Sequence, residues 1–253
     1  MSKLITKDNI EDARMVWSTL YNSQVDKLIP ATTSYTWCDS IYNLNIGSKL
    51  QNLPNILDIN PPTMTLIPAY GKVSNEEFFK RLSRSEFVVN HKMRTMEEVS
   101  YLEERDFFHD MFGHVPHLFN EQYCETLRLL GSLHVAMSDN LVGRKMIENL
   151  YWRIFEFGAI LEDGEVRALG AGIISSTDEL NHFKLTKNKH LVDFTTSELV
   201  TGDNNLDDFQ SVYFVFESFN HIQNEIFSVC NLAMLYSGVK FTSWEDLMKK
   251  MNS

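Results

Sequence analysis

Basic residues are scarce in this chain: 23 Lys and Arg stand against 34 Asp and Glu, a formal charge of −11, and no basic run exceeds two residues. Nucleic acid and anionic membrane both select a basic face, so neither is expected as a partner. Cysteine is sparse as well. Cys38, Cys124 and Cys230 lie far apart, which suits neither a disulfide framework nor a zinc ribbon. The opening residues Met1–Trp17 lack the continuous apolar stretch of a signal peptide, and no later run approaches transmembrane length, so the cytoplasm is the expected compartment. Internal repeats, low-complexity tracts and an interdomain linker are missing too. What is abundant is aromatic. With 17 Phe, 9 Tyr and 4 Trp among 253 residues, and 43% hydrophobic content, the chain can bury a sizeable core as one large domain or two small ones.

Most segments carry helical periodicity. Residues 8–26 place Ile10, Met15, Val16, Thr19, Leu20 and Val25 at mixed steps of three and four, after Asp8 as the expected cap. Ser74–Glu77 and Thr95–Glu98 match the capping box, which predicts helices beginning there. Further helices are predicted over 117–138, 144–158 and 217–236. Strand-like pieces are short: 64–68, the pair 159–161 and 166–169 joined across Glu162–Glu165, and 211–216. Residues 43–73 gather Gly47, Pro54, Pro61 and Pro62 and read as a long surface connection. The expected fold class is mainly helical α+β.

The chemistry concentrates in Arg105–Pro116 (RDFFHDMFGHVP). His109 and His114 are five residues apart, and on a regular α-helix they diverge by about 140°, so they do not share a face. Gly113 and Pro116 bracket the second histidine and disfavour continued helix; a helix ending near Gly113 lets His114 swing back toward His109. The alternative is one buried and one surface histidine. Glu156 lies in Leu150–Ala159 (LYWRIFEFGA), among aromatic and aliphatic neighbours where an unpaired carboxylate costs several kcal/mol. Arg153 offers a surface partner at helical spacing. A metal is the other way to satisfy it. Two histidines and a carboxylate suit iron(II) oxygenase chemistry, and zinc also accepts that set, as in a hydrolase or a metal-stabilised binding module.

Three segments together carry a resemblance: Phe108–Leu118 (FHDMFGHVPHL), Tyr151–Gly158 (YWRIFEFG) and Gly170–Leu180 (GAGIISSTDEL). In order and separation they resemble the signatures of the tetrahydropterin-dependent aromatic amino acid hydroxylases, with weaker similarity from about residue 64 to about 230. The resemblance implies an iron(II) site on His109, His114 and Glu156. It implies dioxygen, a tetrahydropterin and an aromatic amino acid as the small molecules that meet there. Arg94, in His91–Arg94, matches the arginine that pairs with the substrate carboxylate, for which a guanidinium fork has the right geometry. Trp152 matches a wall of the substrate pocket, and Ser175 a serine that supports the ligand and substrate network. Phe78 matches the aromatic that stacks on the pterin, with Gly71 and Val73 near the same cofactor. Asp110 stands where relatives carry an acid close to the pterin.

The bulk of Trp152 favours a single-ring substrate, and apolar Leu206 stands where tyrosine hydroxylases carry an acid. Both lean toward phenylalanine, hydroxylated to tyrosine, as in bacterial-type members. Two departures leave room for another aromatic amino acid, such as tryptophan or tyrosine, or another ring position. Arg105 replaces a proline that borders the pocket in most relatives, and Asp178 replaces a small residue in the third segment. Arg105 is expected to face solvent, because Glu103–Asp106 reads as a charged surface patch. The signatures begin by residue 94, and Lys249–Ser253 carries no heptad helix. Residues 1–253 are therefore expected to form a single catalytic domain, without regulatory or tetramerisation module, acting as a monomer.

Overall fold

Helices account for most of the regular structure in the computed structural model, which describes residues 2–28, 33–44, 59–99, 105–192 and 209–235. Helices Ile10–Leu28 and Tyr35–Leu44 come first. The first starts one residue later than an Asp8 cap requires: Asn9, not Asp8, supplies the carbonyl that accepts the Ala13 N–H at 3.0 Å. Ser74 does cap helix Asn75–Leu82, accepting the Glu77 N–H at 3.2 Å. At Thr95 the capping box is present, with Glu98 Oε2 accepting the Thr95 N–H at 3.0 Å, but it opens only the 3-10 turn Met96–Glu98. Glu121–Ala136, Leu141–Tyr151 and Phe219–Leu235 realise the three long predicted helices within a few residues, and Thr177–Leu185 adds one the periodicity did not single out.

The strands are short, as expected. β1 (Lys3–Leu4) pairs antiparallel with β4 (Lys92–Met93). β2 (Thr65–Ala69) pairs in parallel with β3 (Glu86–Asn90), with helix Asn75–Leu82 between them as a crossover. Two antiparallel strands, β5 (Ala159–Glu162) and β6 (Glu165–Ala168), are joined by a two-residue turn in which Asp163 (φ 52°) and Gly164 (φ 80°) both take positive φ. That is the Asp-Gly turn that matches strand twist. β8 (Tyr213–Phe216) lies beside β5, and β7 (Lys189–Leu191) beside β8, both in parallel, giving the order β6-β5-β8-β7.

These elements enclose an aromatic core around the motif Arg105–Pro116. Trp17 meets Phe107 and Phe108 edge-on, at 6.1 and 5.0 Å between centroids, and Trp37 meets Phe112 at 5.1 Å. The Trp37 indole N–H also donates to the Phe112 carbonyl at 2.7 Å. The first two helices thus clamp the outer side of the histidine-bearing segment. Among the described residues no helix is long and apolar enough to cross a membrane. Leu206, Glu103, Glu104, Lys249–Ser253 and residues 45–58 of the expected surface connection lie outside the described residues.

Candidate metal centre

The two histidines meet because the helix widens instead of ending. His109–His114 is a π-helical segment, in which the Val115 N–H donates to the Asp110 carbonyl, five residues back. Bonds of that span stack residue i+5 over residue i, so a five-residue spacing becomes a shared face. The His109 and His114 rings stand 5.0 Å apart between centroids. Gly113 therefore serves packing, not termination: a Cβ there would lie 2.8 Å from the Ala171 Cβ and 3.0 Å from its carbonyl oxygen. Helix 144–158 widens in the same way. Its course is α as far as Tyr151, then π over Trp152–Glu156, with the Phe157 N–H donating to the Trp152 carbonyl at 3.0 Å.

These two widened turns aim three side chains at one point. His109, His114 and Glu156 are buried, and their ligand atoms all lie within 4.8 Å of one another. His109 Nε2 is 3.3 Å from Glu156 Oε2, and His114 Nε2 is 3.0 Å from Glu156 Oε1. Arg153, the surface partner weighed for Glu156, turns instead to Gln210 at 3.4 Å and over the Phe214 ring. Burial works against the Glu156 carboxylate, yet Arg105 first, then His114 and His109, hold it well below the usual range. Burial pushes His114 down to about 4 against the pull of Glu156, so at neutral pH its ring is uncharged and keeps a lone pair.

The surroundings orient these groups. Ser175 Oγ lies 2.8 Å from His109 Nδ1; accepting a proton there leaves Nε2, buried and without a hydrogen bond, as the free donor atom. The following serine, Ser176, caps helix Thr177–Leu185 by accepting the Glu179 N–H at 3.2 Å. Arg94 is buried and held by Asp106 through Nε (2.9 Å) and Nη2 (3.0 Å), while Asp106 Oδ1 also accepts the His109 N–H at 3.0 Å. Asp110 accepts the Asn90 N–H at 2.7 Å from the end of β3, and burial raises its carboxyl to about 6. Gly170 approaches the backbone of Glu156 so closely that a Cβ would lie 2.2 Å from its carbonyl oxygen.

Arg105 overturns an expectation. Its guanidinium turns inward, with Nη2 3.1 Å from Glu156 Oε1 and its centre 5.6 Å above the Tyr151 ring, while 39% of the side chain stays accessible. Among the described residues its anionic partner is Glu156, across the site. Tyr151, which the sequence did not single out, sits between Arg105 and Phe78, its ring 5.2 Å from that of Phe78. Its place beside Trp152 in the second signature was the available signal. Phe78 is half-buried, on the helix that follows the turn bearing Gly71 and Val73. A Cβ added at Gly71 would meet nothing within 4 Å, so packing does not demand glycine there. Trp152 is half-buried beside Phe157 at 4.9 Å, its indole N–H without a hydrogen bond. Asp178 is exposed in the first turn of its helix.

The donor set fits a resident metal. An orphaned imidazole nitrogen, a neutral second imidazole and an ionised carboxylate converge in a buried place, as iron(II) or zinc requires. Comparison with known proteins narrows the field. Residues 4–251 match the biopterin-dependent aromatic amino acid hydroxylases. The phenylalanine-4-hydroxylase of Mesorhizobium japonicum is 30% identical over 223 residues, covering 86% of this chain and 79% of that protein. That of Chromobacterium violaceum is 30% identical over 211 residues, covering 81% and 70%. A crystal structure of the C. violaceum phenylalanine hydroxylase with bound iron(III) and 7,8-dihydrobiopterin superposes with a TM-score of 0.78, at 25% identity, over 89% of this chain and 83% of that one. Family match, sequence identity and fold agree, and the chain belongs to the biopterin-dependent aromatic amino acid hydroxylase family.

Proposed function

We propose that this protein is an iron(II)- and tetrahydropterin-dependent monooxygenase that hydroxylates phenylalanine to tyrosine, with residues 1–253 acting as one catalytic domain. The observation that carries the reading is the buried convergence of His109, His114 and Glu156. Iron and tetrahydropterin, when bound, supply the activation of dioxygen that no side chain can provide. The protein's part is to bind, orient and exclude water. His109, His114 and Glu156 hold the metal, and Ser175 keeps the proton of His109 on the nitrogen facing away from it. Arg94 takes the substrate carboxylate. Asp106 occupies its Nε and Nη2, which fixes the plane of the fork and leaves Nη1 for the ligand. Trp152 walls the ring, while Phe78, Gly71, Val73 and Asp110 receive the pterin.

The buried Cys124 and Cys230 are free thiols, which supports a reducing compartment and hence the cytoplasm. The inward turn of Arg105 favours a second reading, hydroxylation at another ring position or of another aromatic amino acid. One experiment addresses both: incubate the protein with iron(II), a tetrahydropterin and each aromatic amino acid, and identify products by mass spectrometry and NMR. Tyrosine from phenylalanine is expected. A meta-hydroxylated product would select the second reading, and absence of any pterin-dependent product would sink both.

A further inference from the structure

Most of the support around Glu156 is neutral or anionic, and Arg105 is the exception. Its guanidinium is permanently charged, lies 3.1 Å from Glu156 Oε1 and is braced over the Tyr151 ring. Arg105 is not waiting for an anionic substrate group, because Glu156 already balances it and Asp110 adds a second nearby acid. Its partner is the carboxylate that the proposed function gives to the metal.

We propose that Arg105 is a positioning residue for the metal carboxylate. It holds one oxygen of Glu156 and places a fixed positive charge beside the carboxylate that would hold the metal, so that the site would favour iron(II) over iron(III). The inference rests on His109, His114 and Glu156 being the metal ligands. Two effects of Arg105 oppose one another in metal affinity. Orienting a ligand typically strengthens binding 10–100-fold, whereas a nearby cation repels the metal and draws electron density from the shared carboxylate. The ratio of ferric to ferrous affinity separates them. Orientation acts on both oxidation states and cancels in the ratio, but the extra charge penalises iron(III) more than iron(II). Because 39% of the side chain is open to solvent, screening limits the effect to roughly tenfold in that ratio.

The test is the iron(III)/iron(II) midpoint potential of the iron-loaded protein, with cobalt(II) affinity measured by its visible absorption as a second readout. Arg105→Gln keeps a donor and removes the charge; its potential should fall by about 59 mV, the one-electron equivalent of a tenfold ratio. Arg105→Lys keeps the charge and loses the fork; its potential should stay near that of the unaltered protein while cobalt(II) affinity drops. A potential unchanged in Arg105→Gln, with cobalt(II) still bound, overturns the inference and leaves the metal site standing. If the unaltered protein binds cobalt(II) no better than His109→Ala does, the ligand assignment itself is overturned, and this inference goes with it.

Discussion

Arg94, Asp106 and His109 form a relay in which each contact depends on the next. The Asp106 carboxylate is fully buried and accepts three hydrogen bonds from Arg94 and one from the His109 backbone. It therefore fixes both the guanidinium proposed for the substrate carboxylate and the first turn carrying His109. Lysine at position 94 keeps the charge but cannot both reproduce the two parallel bonds to Asp106 and offer a further N–H to the ligand. Charged hydrogen bonds of this kind contribute about 1.5–3 kcal/mol each, so losing one should raise KM for the amino acid about tenfold or more. The expectation for Arg94→Lys is a higher KM with metal affinity retained, read by steady-state kinetics alongside cobalt(II) titration. An unchanged KM would remove Arg94 from the substrate site.

At the scale of elements, the two π-helical turns explain why a site spread over three segments comes together. An α-helix would have sent His109 and His114 to different faces, and the sequence showed only the awkward spacing, not its resolution. Glycine at 113 and proline at 116 pointed to a break because both disfavour α-helix; neither reveals that a wider winding satisfies the same residues. The strand pair around Asp163-Gly164 was legible, since that turn is a local property of two residues. β3 and the inward turn of Arg105 were not, because both are decided by partners distant in sequence: β2 across a helix, and Glu156 across the site. The third signature enters by close approach. Gly170 lies against the backbone of Glu156, so Gly170→Ala must push the ligand-bearing turn aside, a distortion at the upper end of overpacking, about 3 kcal/mol. Gly71→Ala, with open space around its Cβ, should change stability by no more than about 0.5 kcal/mol. Urea unfolding of the two variants checks the contrast, and equal effects would show that Gly170 does not hold Glu156 in place.

For the whole molecule, the acid side of the stability curve is set by histidines that fold into apolar surroundings. His117 is fully buried and stacks on Tyr123 at 4.7 Å. Burial first, and the neighbouring His114 second, push it down to about 3, with the Leu169 backbone opposing. Its folded value lies below the unfolded value of about 6.5, so between those limits the unfolded chain binds the extra proton. Stability from this group is therefore complete above about pH 6.5 and falls as the pH drops, by about 1.4 kcal/mol per unit. His114, lowered to about 4, acts in the same direction, so the effect of His117 must be read as a difference between two proteins. His117→Leu keeps an apolar side chain in the same place and removes one proton from the balance. Between pH 7 and pH 5 the unaltered protein should lose about 2 kcal/mol more than the variant, as measured by urea unfolding at each pH. Parallel losses in the two proteins would mean that His117 is protonated as readily in the folded chain as in the unfolded one, and that the acid sensitivity belongs to the metal-binding histidines and carboxylates alone.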